Sequence, residues 1–119
     1  VNYLHKPEDV HVLGGAAELI AAANHRSIPV VVISNQAGIG RGYYGWADFA
    51  AVQETINTAL APAAIDAVFA CPFHADGVAP YDIADHPDRK PNPGMILQAL
   101  ADWPIDAARP RRDCRTRRC

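Results

Sequence analysis

The chain has 119 residues, half of them apolar and 20% charged, with a net charge of −2; this suffices for one small domain with a modest core and excludes a disordered composition. No apolar stretch approaches the roughly 20 residues of a membrane span, and no charged segment followed by an apolar run opens the sequence, so a soluble, cytoplasmic protein with no membrane partner is expected. The three cysteines, Cys71, Cys114 and Cys119, form no even framework and fit a reducing compartment better than a disulfide scaffold.

Residues 1–14 read as an extended entry segment punctuated by Pro7 and the Gly14–Gly15 pair. From Gly15 to Arg26, the recurrence of Ala16, Leu19, Ile20 and Ala23 predicts an amphipathic helix with those four facing inward. Pro29 breaks it. Val30–Ile33, β-branched throughout, then reads as a continuously apolar strand of the kind found where helices cover both faces of a parallel sheet. A polar, glycine-rich loop beginning at Ser34 follows, at the strand end where open α/β sheets place their ligands. Trp46–Ala61 sets Phe49, Val52, Ile56 and Leu60 on one stripe, with Asp48 in the first turn where the helix dipole favours it.

Pro62 stops this second helix, and Ile65–Ala70 is a second strand feeding Cys71, whose thiol is expected to be half-buried and inert. The segment 72–91 has no helical or strand period, and loops of that length are functional or disordered. A third helix is predicted from Pro93 to about Trp103, with Asn92 as N-cap and Met95, Ile96 and Leu100 inward. The alternation argues for an α/β domain: a Rossmann-like parallel sheet with right-handed crossovers and flanking helices over 1–108.

Beyond residue 108 the composition breaks. Residues 1–108 hold Lys6, Arg26, Arg41, Arg89 and Lys90 against twelve acids, whereas 109–119 hold six arginines against Asp113 alone. An arginine run can bind nucleic acid. This one has no lysine and no interleaved aromatic, and it begins where a buried strand is expected, so a frameshifted or disordered tail is the favoured reading over a nucleic-acid partner.

Ser34 and Asn35 could bring a hydroxyl and successive backbone N–H groups onto a phosphoryl oxygen, the preset donors that phosphoryl transfer requires. Arg89 and Lys90, just before a helix start, add a planar fork and a compact charge. The plainer readings are a strand cap and turn at 34–36 and a solvated charged pair at 89–90. Arg41, in Gly-Arg-Gly, either reaches the mouth of such a site or lies on the surface.

Four stretches in order carry a resemblance: Asn2-Tyr3-Leu4-His5-Lys6-Pro7-Glu8-Asp9, Ser34-Asn35-Gln36-Ala37-Gly38-Ile39-Gly40-Arg41-Gly42, Cys71-Pro72-Phe73-His74, and Arg89-Lys90-Pro91-Asn92-Pro93-Gly94-Met95. Over about Val1 to Ala108 the chain resembles the haloacid dehalogenase-like phosphatases, in the branch acting on D-glycero-D-manno-heptose 1,7-bisphosphate and histidinol phosphate. The resemblance implies a phosphorylated small-molecule partner. It implies that Ser34 holds the phosphoryl group, that Lys90 neutralises it, that Asn35, Gln36 and Ala37 contact the substrate, and that Arg89 recognises the rest of it. Tyr3 and His5 fall in a segment that would cover the site.

The resemblance also implies an Asp-x-Asp strand just before Val1, supplying nucleophile and general acid, and a Gly-Asp strand after Ala108 completing a magnesium site. No Asp-x-Asp occurs in these 119 residues. The expectation is therefore an incomplete sheet lacking the first catalytic strand and the C-terminal part, with magnesium ligands outside the chain. It would be a fragment of a magnesium-dependent sugar-phosphate phosphatase, working through an aspartyl-phosphate when complete and inactive as given. Histidinol phosphate is the alternative substrate, and a non-catalytic phosphate-binding remnant the alternative of another class. Zinc-bearing relatives use Cys-x-His and then Cys-x-Cys, where this chain has Cys71, Phe73, His86 and Asp88. A set of Cys71, His74, His86 and Asp88 is chemically possible but shifted in spacing, so a zinc-free loop held by packing and hydrogen bonds is expected.

Overall fold

In a computed structural model of the chain, residues 3–103 and the strand at 115–118 are described. A 3-10 turn at Pro7–Asp9 precedes α1 (Ala16–His25), β1 (Val31–Asn35), the short α2 (Ala37–Gly40), α3 (Trp46–Leu60), β2 (Ala67–Cys71), α4 (Gly94–Asp102) and β3 (Arg115–Arg118). The strands are parallel in the order β1-β2-β3, and the register pairs Val31 with Ala67 and Asn35 with Cys71, so β1 and β2 end level with each other. Parallel pairing of β1 and β2 requires the crossover through α2 and α3, the architecture implied by the alternation of elements. Of the arginine-rich segment 109–119, only 115–118 are described, as β3; the boundary at 108 lies outside the described residues.

β2 is buried along its whole length, and its side chains divide by the twofold alternation of a strand. Val68 and Ala70 pack with Phe49 and Leu60 of α3, and with Ala16, Ala17 and Ile20 of α1. Ala67, Phe69 and Cys71 face the other way, onto Met95 of α4 and Trp103. Helices thus cover both faces. Burying Phe69 alone contributes about 2–3 kcal/mol of apolar transfer.

Two polar pairings hold the strand starts together. The Asp66 carboxylate accepts from Val30 N–H at 2.7 Å while Asp66 N–H donates to the Val30 carbonyl at 2.8 Å. At the end of α1, Asn24 Nδ2 donates to the Ala64 carbonyl at 3.0 Å and Oδ1 accepts from Ala64 N–H at 2.8 Å. The first pairing satisfies part-buried backbone groups that the sheet itself leaves over, and the second ties the end of α1 to the exposed turn before β2.

Several sequence expectations need correction. β1 begins one residue later than predicted and runs on through Ser34 to Asn35, and its five residues are half-buried although β-branched at the start. The reason is its position: β2 flanks one edge, and among the described residues no strand flanks the other. Leu19 is 74% exposed, because α1 turns Ala16, Ala17 and Ile20 inward and Leu19 lies about 100° from the centre of that stripe. On α4 the inward row is Met95, Ala99 and Trp103, four residues apart, so Ile96 and Leu100 emerge at 47% and 40% exposure. Asn92 does not cap α4; Pro93 occupies that position, and the Asn92 amide donates to Asp85 and to the His86 carbonyl, bracing the preceding loop. Cys71 is fully buried rather than half-buried.

Candidate active site

β1 hands over to α2 at Gln36, whose N–H donates to the Cys71 carbonyl at 2.7 Å and closes the last rung with β2. The single turn of α2 is buried, and at Gly40 a Cβ would overlap the Pro72 carbonyl, so the helix can lie against the end of β2 only with glycine there. Ser34 and Asn35 are left half-buried at the carboxyl edge of the sheet.

Lys90 reaches this edge from the long loop. Asn35 Nδ2 donates to the Lys90 carbonyl at 3.2 Å, and Lys90 N–H donates to Asn35 Oδ1 at 3.0 Å. The asparagine amide thus imitates one rung of a backbone ladder between residues 55 apart in sequence. The Lys90 side chain is exposed, and no ion pair engages it among the described residues.

Ser34 Oγ accepts from Gln36 Nε2 at 2.8 Å, and the Tyr44 hydroxyl donates to Gln36 Oε1 at 2.5 Å. Tyr44 is buried, and burial raises its phenol above the ordinary tyrosine value, with Tyr3 adding to the effect. The resemblance assigns Asn35, Gln36 and Ala37 to the substrate. In the structure the first two side chains are engaged within the protein, and Ala37 is a buried methyl at the start of α2. Arg89 is half-buried and donates from Nη1 to the Phe73 carbonyl at 3.2 Å.

Arg41 follows α2. Its Nη2 donates to Asp76 Oδ2 at 3.2 Å and lies 3.4 Å from His74 Nε2. A hydrogen bond with Tyr43 holds the guanidinium above its ordinary range. The entry segment does reach this region: His5 stacks on Tyr44 with ring centroids 5.6 Å apart, and Tyr3 lies 5.9 Å from Tyr43. The long loop is stitched to the same side through Val78 N–H, which donates to the Gly40 carbonyl at 2.7 Å, and through Trp46 Nε1, which donates to the Tyr81 hydroxyl at 3.3 Å.

The zinc candidates do not converge. Cys71 points into the apolar cluster with Phe69, Met95 and Trp103. His74 Nδ1 accepts from Asp76 N–H at 3.0 Å, and His86 Nδ1 accepts from Asp88 N–H at 3.0 Å. The His86 ring lies flat on Phe73, with centroids 4.0 Å apart and planes 3° from parallel. Among the described residues no three or more His, Cys, Asp or Glu side chains form a group able to hold a metal ion, so these residues do not fit zinc, nor do they assemble a magnesium site.

Tyr44 was not legible as a site residue, since a tyrosine between glycines in a turn carries no period. Only the short spacing from Gln36 could have drawn attention to it.

No protein-family model matches the chain. Over 110 residues it is 43% identical to a D-glycero-beta-D-manno-heptose-1,7-bisphosphate 7-phosphatase of Mesorhizobium japonicum, covering 91% of this chain and 51% of that protein. A crystal structure of a protein from Mesorhizobium loti described as a HAD-like phosphatase superposes with a TM-score of 0.78 at 42% identity, covering 86% of this chain and 50% of the other. The D,D-heptose 1,7-bisphosphate phosphatase of B. bronchiseptica, solved with magnesium and phosphate, gives 0.72 at 29% identity, covering 87% of this chain and 55% of the other. The chain spans about half the length of the curated relatives it matches. No helix among the described residues is long and apolar enough to cross a membrane. Over that half length, the chain is a homologue of the heptose bisphosphate phosphatases and shares the fold of the haloacid dehalogenase-like phosphatases.

Proposed function

We propose that this chain is the phosphate-holding portion of a phosphatase acting on a sugar phosphate such as D-glycero-D-manno-heptose 1,7-bisphosphate. The observation that carries the reading is the Asn35 clamp, which brings Lys90 to the strand end that bears Ser34. In this role the Ser34 hydroxyl donates to a phosphoryl oxygen and the Lys90 ammonium offsets its charge, electrostatic stabilisation by groups in place before the reaction starts. Arg41, at the edge of the same region, would meet the rest of the substrate. The names of the relatives favour the heptose ester over histidinol phosphate.

The attacking carboxylate would be an aspartate from an Asp-x-Asp strand pairing with the edge of β1 that no strand flanks among the described residues, and the half-burial of β1 supports room for it there. Held donors assist a phosphoryl transfer but cannot begin one, so the 119 residues by themselves bind phosphate without turnover. The test has two parts. Inorganic phosphate titrated into the chain should bind, and Ser34→Ala or Lys90→Ala should each weaken binding about tenfold, as expected for hydrogen bonds to charged groups. The chain extended by the coding sequence that flanks it on both sides should release phosphate from the heptose bisphosphate. Absence of phosphate binding by the unaltered chain, or binding indifferent to both substitutions, refutes the proposal.

A further inference from the structure

A serine hydroxyl carries one proton and two lone pairs, so whether it can donate to an anion depends on where its neighbours send that proton. Ser34 Oγ receives a hydrogen bond from Gln36 Nε2 at 2.8 Å. Because the amide is the donor there, the Ser34 proton remains free to point elsewhere. The opposite orientation of the Gln36 amide would place Oε1 against Ser34, and Ser34 would then spend its proton inside the protein.

Tyr44 accompanies the first arrangement. Its hydroxyl donates to Gln36 Oε1 at 2.5 Å while Gln36 Nε2 donates to Ser34, so the oxygen faces the tyrosine and the nitrogen the serine. The ring is locked in place: it is part of the cluster containing Ile39, Phe49 and Val68, His5 stacks on it, and Gly38 leaves the space that a Cβ would take from it. Burial keeps the phenol protonated well into the alkaline range, so the donor persists.

We propose that Tyr44 and Gln36 are positioning residues that aim the Ser34 hydroxyl, through the relay Tyr44 to Gln36 to Ser34, as a donor toward an anion at the end of β1. This rests on the reading of Ser34 as a phosphate ligand given above. It also gives Gln36 a role distinct from contact with the substrate. The relay links the entry segment, through His5 and Tyr44, to the group that holds phosphate.

The experiment uses the full 119-residue chain labelled with 15N, inorganic phosphate as probe, and four variants, with thermal unfolding recorded for each. In the unaltered chain the Gln36 side-chain amide should exchange slowly with solvent and phosphate should bind. Tyr44→Phe keeps the ring and removes the donor; it should speed Gln36 amide exchange and raise the phosphate Kd about five- to tenfold. Gln36→Met, a half-buried change of similar length, should weaken phosphate by a similar factor and serves if Tyr44→Phe does not fold. Gln36→Glu, whose carboxylate captures the Ser34 proton, should weaken it further. A purely structural role would lower the melting temperature of Tyr44→Phe and leave phosphate affinity and amide exchange unchanged, and that result overturns the relay. If Ser34→Ala abolishes binding while Tyr44→Phe and Gln36→Met bind as the unaltered chain does, the relay fails and the phosphate site stands. If the unaltered chain binds no phosphate, both fail.

Discussion

Asn35→Ala tests the joint on which the site depends. The substitution deletes both hydrogen bonds of the clamp, at 3.0 and 3.2 Å, and leaves β1 and β2 otherwise intact. A side-chain to backbone hydrogen bond contributes a net ~0.5–1.5 kcal/mol. Lys90 is exposed, so water takes over its freed N–H and carbonyl, and the low half of the range applies to each bond. The expected loss is about 1–2 kcal/mol, which lowers the melting temperature by roughly 5–10 °C in a domain of this size. With the Lys90 backbone released, its ammonium no longer meets the anion in one fixed geometry, and phosphate affinity should fall about five- to tenfold. Asn35→Asp should keep the acceptor for Lys90 N–H and so part of the stability. Its carboxylate would face both the Lys90 carbonyl and the bound anion, so it should bind phosphate more weakly than the alanine variant.

The control is built into the fold. Asn24 makes the same two-way pairing with Ala64, at the opposite end of the strands. Asn24→Ala should cost comparable stability and leave phosphate affinity unchanged. Denaturant unfolding and calorimetric titration of the three variants decide the matter. The reasoning is refuted if Asn35→Ala binds phosphate as well as the unaltered chain, or if the two asparagine-to-alanine variants weaken it equally.

Gly40→Ala drives a methyl into the Pro72 carbonyl, a backbone atom that cannot swing aside, and should destabilise by about 1–3 kcal/mol. Gly14→Ala, where a Cβ meets nothing within 4 Å, should be near neutral, and equal losses at the two positions would contradict the close approach of α2 to β2. The raised Tyr44 phenol predicts an alkaline effect of definite sign. Its protonated form is favoured by folding, so its contribution is fully present below the unfolded value of about 10 and is lost as pH rises through the higher folded value. Melting temperatures measured from pH 8 to 11 should therefore fall less steeply for Tyr44→Phe than for the unaltered chain, and identical slopes would rule this out.

Much of the architecture was legible in the chain because its causes are local. The β-branched run before Ser34, the stripe of Phe49, Val52 and Leu60, and the stops at Pro29 and Pro62 each act over a few residues, and the alternation of elements then leaves a parallel sheet as the economical arrangement. The order of the short stretches around Ser34 and Arg89-Lys90 pointed to phosphate because residue type and strand-end position together limit what such groups can do.

What periodicity could not supply was the phase and partner of each side chain. Leu19, Ile96 and Leu100 fit a helical period as well as their buried neighbours do, and only the placement of α1 and α4 against the sheet decided which row turned inward. The pairing of Phe73 with His86 joins two residues of a loop without any repeat. The Asn35–Lys90 clamp joins residues 55 positions apart, and Tyr44 reaches Ser34 only through the Gln36 amide. Composition and spacing thus determined which elements form and which groups could hold a phosphate. Tertiary packing alone decided which of those groups keep their donors free, because a hydrogen bond's direction depends on the neighbours that folding brings within 3 Å.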